Sequence, residues 1–262
     1  MNALNSIFRV VSLILLLALS PLTPADTGQA KTVMVYNTYL LPPFVAETGG
    51  LAEELVAYLN QKLAGEYRFQ LDNIPRARLV RDVIDPPDRF GDIVLFLNPR
   101  FVADAERTKF FWSPPIATDH NILVFRGATP PPIKELGDLK GMRFGAVKGN
   151  RYKGLDDLVE ANLITREYAP TELANFKKIA DDRIDFTQTY ASTFNVLQQR
   201  RMFGGPIATV TAPGDEPFTR HILIGRKNPE LAKRIAAIAQ AMPSDPKWKQ
   251  IADAYLIGLP KP

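Results

Sequence analysis

Hydrophobic positions along the chain change period again and again. Thr32 to Tyr36 reads as a strand, and Leu40-Leu41-Pro42-Pro43-Phe44 then forces an extended turn, because two prolines cannot enter a helix. Leu51, Leu55, Tyr58, Leu59 and Leu63 keep helical spacing and Gly65 supplies a stop, which predicts a helix over 51–63. Tyr67 to Leu71 alternates as a strand, and a helix is expected over about 76–84. Asp92 to Leu97 is the continuous apolar run of a buried parallel strand. Strand, helix, strand, helix, strand predicts an α/β layer with ligands at the carboxyl ends of its strands.

A strand over 121–125 follows Pro114-Pro115, and Gly127-Ala128-Thr129-Pro130-Pro131-Pro132 is the strongest punctuation in the sequence. Beyond it the alternation restarts: strand 143–147, helix 154–160, strand 165–168, helix 172–180, strand 184–187, helix 192–199. A short strand over 222–225 leads to Asn228-Pro229-Glu230, a helix start with Asn at the cap and Pro at the first helical position. Two α/β units of similar size are therefore expected. The chain crosses between them at 122–126 and 221–226, so that the C-terminal residues complete the first unit.

Composition mainly excludes. Among 262 residues there is no cysteine, which removes disulfides, thiolate metal sites and thiol nucleophiles. His120 and His221 stand apart from any ligand-spaced partner, so neither a metal nor a cofactor is expected. The net charge of +4 is dispersed, with no basic run to suggest nucleic acid. Arg9 followed by the apolar run Val10 to Leu19 reads as a secretory signal over 1–25, or over 1–30 if cleavage follows Ala30. The run is shorter than the about 20 residues that span a bilayer, and no lipobox cysteine follows. Export to the periplasm with the signal removed is the expectation.

Several phrases in order carry a resemblance. They are Tyr39-Leu40-Leu41-Pro42-Pro43-Phe44, Gly91-Asp92-Ile93-Val94, Ala105-Glu106-Arg107 running into Phe111-Trp112-Ser113-Pro114-Pro115, Leu139-Lys140-Gly141-Met142-Arg143-Phe144-Gly145-Ala146-Val147-Lys148-Gly149, Asp182-Arg183-Ile184-Asp185 and Arg226-Lys227-Asn228-Pro229-Glu230. Together they resemble the periplasmic solute-binding family that serves amino-acid ABC transporters and related receptors, over nearly the whole mature chain. The resemblance implies a type 2 periplasmic-binding fold: two lobes, each a helix-covered, mostly parallel sheet, joined by two crossing strands. Lobe 1 would comprise 31–121 plus 227–262, and lobe 2 residues 127–220. Such a protein closes around a small solute as a monomer and passes it to an ABC transporter permease or a membrane sensor.

By the same resemblance, Arg107 matches the arginine that receives a ligand carboxylate through a two-pronged donor; its other reading is a surface ion pair with Glu106 or Asp104. Arg78 resembles the arginine of a Pro-Trp-x-Arg phrase, although Arg76 stands where that phrase has tryptophan; its other reading is a helix-surface arginine. Asn98 ends a buried strand toward the cleft or simply caps a turn. Asn150 and Arg151 follow Gly149 between a strand and a helix, where an anion could sit. Tyr36, Tyr39 and Phe44 could wall the ligand or belong to the core. Where amino-acid binders carry an aspartate for the ligand ammonium, this chain has Tyr190. A phenol cannot replace that charge, so the expected ligand is a carboxylate or similar anion that needs no α-ammonium, unless Glu53, Glu54 or Asp119 has taken over the contact. A periplasmic cyclohexadienyl dehydratase uses the same fold with an acid in lobe 2, but Thr187 to Asn195 holds neither Asp nor Glu, and catalysis is not expected.

Overall fold

The computed structural model describes residues 29–47, 49–85 and 87–260, so the signal segment expected over 1–25 lies outside the described residues. Strands β1 (Lys31–Asn37), β2 (Tyr67–Asn73) and β3 (Ile93–Leu97) run parallel in the order β2-β1-β3, with α1 (Leu51–Lys62) as the first crossover. All five β3 residues are buried, as their unbroken apolar run requires. Strand β11 (Phe218–Ile224) joins β3 antiparallel, and the short β4 (Phe111–Trp112) and β5 (Ala117–Asp119) both pair with β11. Helices α6 (Pro229–Ala241) and α7 (Pro246–Ala254) return to this sheet. Their Leu231, Ile235, Trp248 and Ile251 share one core with Leu51, Leu55 and Leu59 of α1.

The second sheet is built from β6 (Asn121–Arg126), β7 (Arg143–Val147), β8 (Thr165–Ala169), β9 (Phe186–Tyr190) and β10 (Ile207–Thr211), in the order β10-β6-β9-β7-β8. Here too three strands, β8-β7-β9, are parallel, while β6 and β10 join antiparallel. Leu155 of α3 (Leu155–Glu160) packs with Leu123, Phe125, Phe144 and Phe186 on one face. Helices α4 (Glu172–Ala180) and α5 (Ala191–Gln199) cover the other, where Phe176, Ile179 and Phe194 meet Ile122 and Val124. Gly145 allows α4 its close approach: a Cβ there would lie 2.2 Å from Ile184 Cδ1 and 2.8 Å from Asn175 Oδ1.

Two expectations are corrected, and a third, the helix over 76–84, keeps its bounds but changes its form. The helix over 76–84 is a short α2 (Arg76–Leu79) that widens into a π turn over Val80–Ile84, where the Asp85 N–H reaches the Val80 carbonyl and both Leu79 and Val83 stay buried. The strand expected over 184–187 lies at 186–190, because Asp185 accepts the Arg143 N–H and pins the strand entry while Ile184 packs against α4. The expected crossings lie inside the sheets: residues 122–126 pair with β9 and β10, and residues 221–224 pair with β3. The chain passes from sheet to sheet one step earlier, over 119–121 and 212–217. Apolar strands are stable with both faces covered, and the polar residues before them make the passage.

Candidate functional site

Arg220 on β11 sits at the passage between the two sheets and is 1% exposed. Its Nε–H and Nη2–H donate to Asp119 Oδ2 at 3.1 and 2.7 Å, and its Nη1–H donates to the Phe96 carbonyl at 3.2 Å. Phe96 stands at φ +62° where the pairing of β11 with β3 shifts register, a bulge that turns this carbonyl toward the arginine. Asp119 also accepts the hydroxyl and the N–H of Ser192, at 2.6 and 3.2 Å, which ties the cluster to α5 of the second sheet. Burial works against the arginine's charge, and Asp119 together with Tyr39 and Tyr190 more than offsets it.

Aromatic rings enclose the guanidinium. Tyr39, Phe44, Tyr190 and Phe218 have their centroids 4.5, 4.7, 4.5 and 5.2 Å from its central carbon. Tyr39 follows β1 of the first sheet and Tyr190 ends β9 of the second, and the two rings meet edge to face at 5.6 Å. Burial pushes the Tyr190 phenol well up, which keeps it neutral.

A different polar group lies beneath α4. Thr171 caps this helix by accepting the Ala174 N–H, and Glu172 is its first residue. The Glu172 side chain remains partly accessible yet has protein on most sides. Burial drives its carboxyl up to about 7 against the opposing pull of Arg220. Glu172 makes no ion pair among the described residues. One turn on, Asn175 is fully buried and neither its Oδ1 nor its Nδ2 has a partner, and Thr189 Oγ1 on β9 is likewise buried and unpaired. Thr187 and Thr189 share the α4 face of β9, since Thr187 pairs in register with Gly145, where an added Cβ would meet Asn175.

No family model matches the sequence, and no curated protein matches it. Solved structures do. One comes from work on glutathione import in Gram-positive bacteria via GshT and the cystine ABC importer TcyBC of Streptococcus mutans, with TM-score 0.70 and 16% identity over 88% of this chain and 98% of that one. An ancestral arginine-binding protein bound to arginine follows at TM-score 0.67 and 17% identity, over 86% and 97%. A histidine kinase sensor domain with similarity to periplasmic binding proteins gives TM-score 0.67 and 14% identity, over 88% and 99%. The fold is that of a two-lobed periplasmic binding protein. The Tyr39–Tyr190 contact joins its two sheets.

The binding-protein fold places the expected site residues unequally. Arg107 is exposed at φ +56° and makes no ion pair among the described residues. Its loop is built by Asp104, whose side chain takes the N–H groups of Thr108, Lys109 and Phe110 and the Trp112 indole N–H. Burial opposes the charge of Asp104, but these donors prevail and hold its carboxyl below the usual range. With its oxygens so engaged, Asp104 does not pair with Arg107, and the surface ion pair with Glu106 or Asp104 is not formed. Tyr39 and Tyr190 both pack on Arg220.

The remaining candidates are engaged elsewhere. Arg78 lies 3.8 Å from Asp72 and 3.5 Å from Asp82 on the surface, while the neighbouring Arg76 donates to the Phe101 carbonyl and acts electrostatically on Tyr190. Tyr36 packs on Phe90, away from the Arg220 rings, and Phe44 is core, 1% exposed beside Phe96. Asn98 caps a short turn by accepting the Arg100 N–H and donates to the Thr219 carbonyl, so both ends of its amide are used. Asn150 and Arg151 precede a helix of six residues that starts only at Leu155 and carries Asp156 and Asp157 in its first turn, which disfavours an anion there. Asp156 accepts the Tyr152 N–H and pairs with Arg166. Asp185 binds the Arg143 N–H and guanidinium.

Sequence reasoning passed over Arg220 and Glu172. Arg220 stands in Phe218-Thr219-Arg220-His221, just ahead of the strand expected over 222–225, and a lone arginine in that place reads as surface. Glu172 reads as a routine first-turn acid that suits the helix dipole.

Proposed function

We propose that this protein is a receptor that closes its two lobes on a small carboxylate-bearing solute and delivers it to an ABC transporter or a membrane sensor. The observation that carries the reading is the Tyr39–Arg220–Tyr190 stack. It brings a ring from each lobe onto one guanidinium at 4.5 Å, the kind of contact that hinge closure would bring together. The fold shared with binding proteins and a sensor domain supports it. Lobe 1 then comprises 31–119 with 218–260, and lobe 2 residues 121–212. The signal-like segment supports a periplasmic address for a monomer, and no helix among the described residues is long and apolar enough to cross a membrane.

Within this reading Arg107 takes the carboxylate. Its loop is fixed by Asp104 and its guanidinium is unpaired, so its donors need not be stripped from another acid. Arg107→Ala is expected to weaken binding about tenfold to a hundredfold, the worth of about 1.5–3 kcal/mol for a charged hydrogen bond. The melting temperature of the empty protein should not move. Calorimetry with L-glutamate, L-glutamine and L-phenylalanine checks this, and unchanged affinity would remove Arg107 from the site.

One observation suits a lyase instead: Glu172 is an acid in the lobe 2 cleft that titrates near neutrality. Mass spectrometry of a solute recovered after long incubation separates the readings, since a receptor returns it unchanged and a lyase returns its elimination product.

A further inference from the structure

We infer that Glu172 is the acceptor for a positively charged amine on the bound solute, in the place that Tyr190 leaves without a carboxylate. This deepens the receptor reading and rests on it. The other acids that could have taken the contact stand differently. Asp119 is consumed by Arg220 and Ser192. Glu53 is exposed and Glu54 half-buried in the first turn of α1, beside Tyr255.

Glu172 differs from the other acids set into this fold. Asp104 has four N–H donors, Asp185 has Arg143, Asp156 has Arg166, and Asp245 has Tyr58 and Lys62. Glu172 has no such partner among the described residues, although it lies among groups that deny it bulk water. The titratable and charged groups facing it are Arg220 of β11, Tyr190 of β9 and Tyr152 ahead of α3. Arg220 is already neutralised by Asp119, and the two phenols carry no charge near neutral pH.

The second observation is independent of that carboxyl. Asn175 sits one turn along the same helix face, and its amide, like the Thr189 hydroxyl, is buried without a partner. A buried, unpaired polar group is costly and rare in a finished core. Here three such atoms lie in the layer between α4 and the strands. An ammonium matches Glu172 chemically: it brings the charge that the acid lacks and N–H donors for its oxygens. The solute class is therefore zwitterionic, with a carboxylate for Arg107 and an amine for Glu172, rather than the amine-free anion expected from Tyr190 alone.

Two arms test this in the intact chain. In the empty protein, a Glu172 carboxyl raised by burial contributes its full stability below the unfolded glutamate value and loses it as pH rises through about 7. Glu172→Gln is thus expected to melt like wild type at pH 4.5 and several degrees higher at pH 8, and an equal difference at both pH values overturns the unpaired carboxylate. The second arm is calorimetry with three pairs that differ by the α-amine alone: L-glutamate and glutarate, L-glutamine and glutaramate, L-phenylalanine and 3-phenylpropanoate. At least one amine-bearing member is expected to bind about tenfold or more tightly than its partner, with Glu172→Gln erasing that preference and Glu172→Asp keeping part of it. A pair bound equally well, or a preference that survives Glu172→Gln, overturns the acceptor role and leaves the receptor standing. No binding by any of the six overturns the receptor for amino-acid-like solutes, and the acceptor role with it.

Discussion

Around Arg220 each buried polar atom has a partner: the guanidinium bridges Asp119 and the Phe96 carbonyl, Asp119 takes up Ser192, and four rings close the faces. Beneath α4 the accounting stays open, with Glu172 unpaired and with Asn175 and Thr189 buried without hydrogen bonds. Both regions adjoin β9 and its end, through Tyr190 on one side and Thr189 on the other. A completed network joins elements and fixes geometry, whereas an incomplete one raises the free energy of the empty protein and gives a solute something to satisfy. The first region is read as the joint that sets how the lobes meet, the second as the surface they meet upon.

The largest expected effect breaks the first region. Asp119→Ala strands Arg220 as an uncompensated buried charge and should cost about 3–5 kcal/mol in chemical denaturation. The pair Asp119→Leu with Arg220→Met, which removes both charges, should recover most of that loss. A cost under about 1 kcal/mol for Asp119→Ala would mean that the joint is not held by this pair.

A smaller effect of opposite sign sharpens the contrast. Asn175→Leu replaces two unpaired polar atoms with an apolar group of similar size and should stabilise the empty protein by about 1 kcal/mol, read by the same denaturation. Destabilisation would show that the amide is satisfied after all and would make the two regions alike. Smallest of all is Tyr190→Phe. The ring, not the hydroxyl, packs on Arg220, so the melting temperature should stay within the shift that about 0.5 kcal/mol produces. A larger loss would give the phenol a role that its packing does not require.

The strong periods were legible in sequence: α1, β3, β7 and α4 fall at or within a residue or two of their expected bounds. Weak ones were not. β4 has two residues and β5 three, too few to show alternation, and β10 sits in Ile207 to Thr211 among turn formers. Helix α7 was passed over although Asp245-Pro246 is a sound helix start, with Asp245 accepting the Lys247 and Trp248 N–H groups. Of the candidate residues, Tyr39 and Tyr190 stack on Arg220, and Arg107 is exposed with no ion pair among the described residues. Asn98 and Arg78 were drawn off by near neighbours, a carbonyl and two aspartates, that no spacing rule reveals.

The sequence by itself determined the two α/β units, their order, and the return of the C-terminal helices to the first unit. Those follow from apolar period and punctuation, which act over a few residues. Only the tertiary structure decided which charges are spent and which are free. Arg220 and Asp119 are 101 positions apart, and Glu172 owes its state to groups on β11, β9 and the turn before α3. The worth of a charge depends on the partners and the water that folding leaves around it. Neither is written in the local pattern that shapes a helix or a strand.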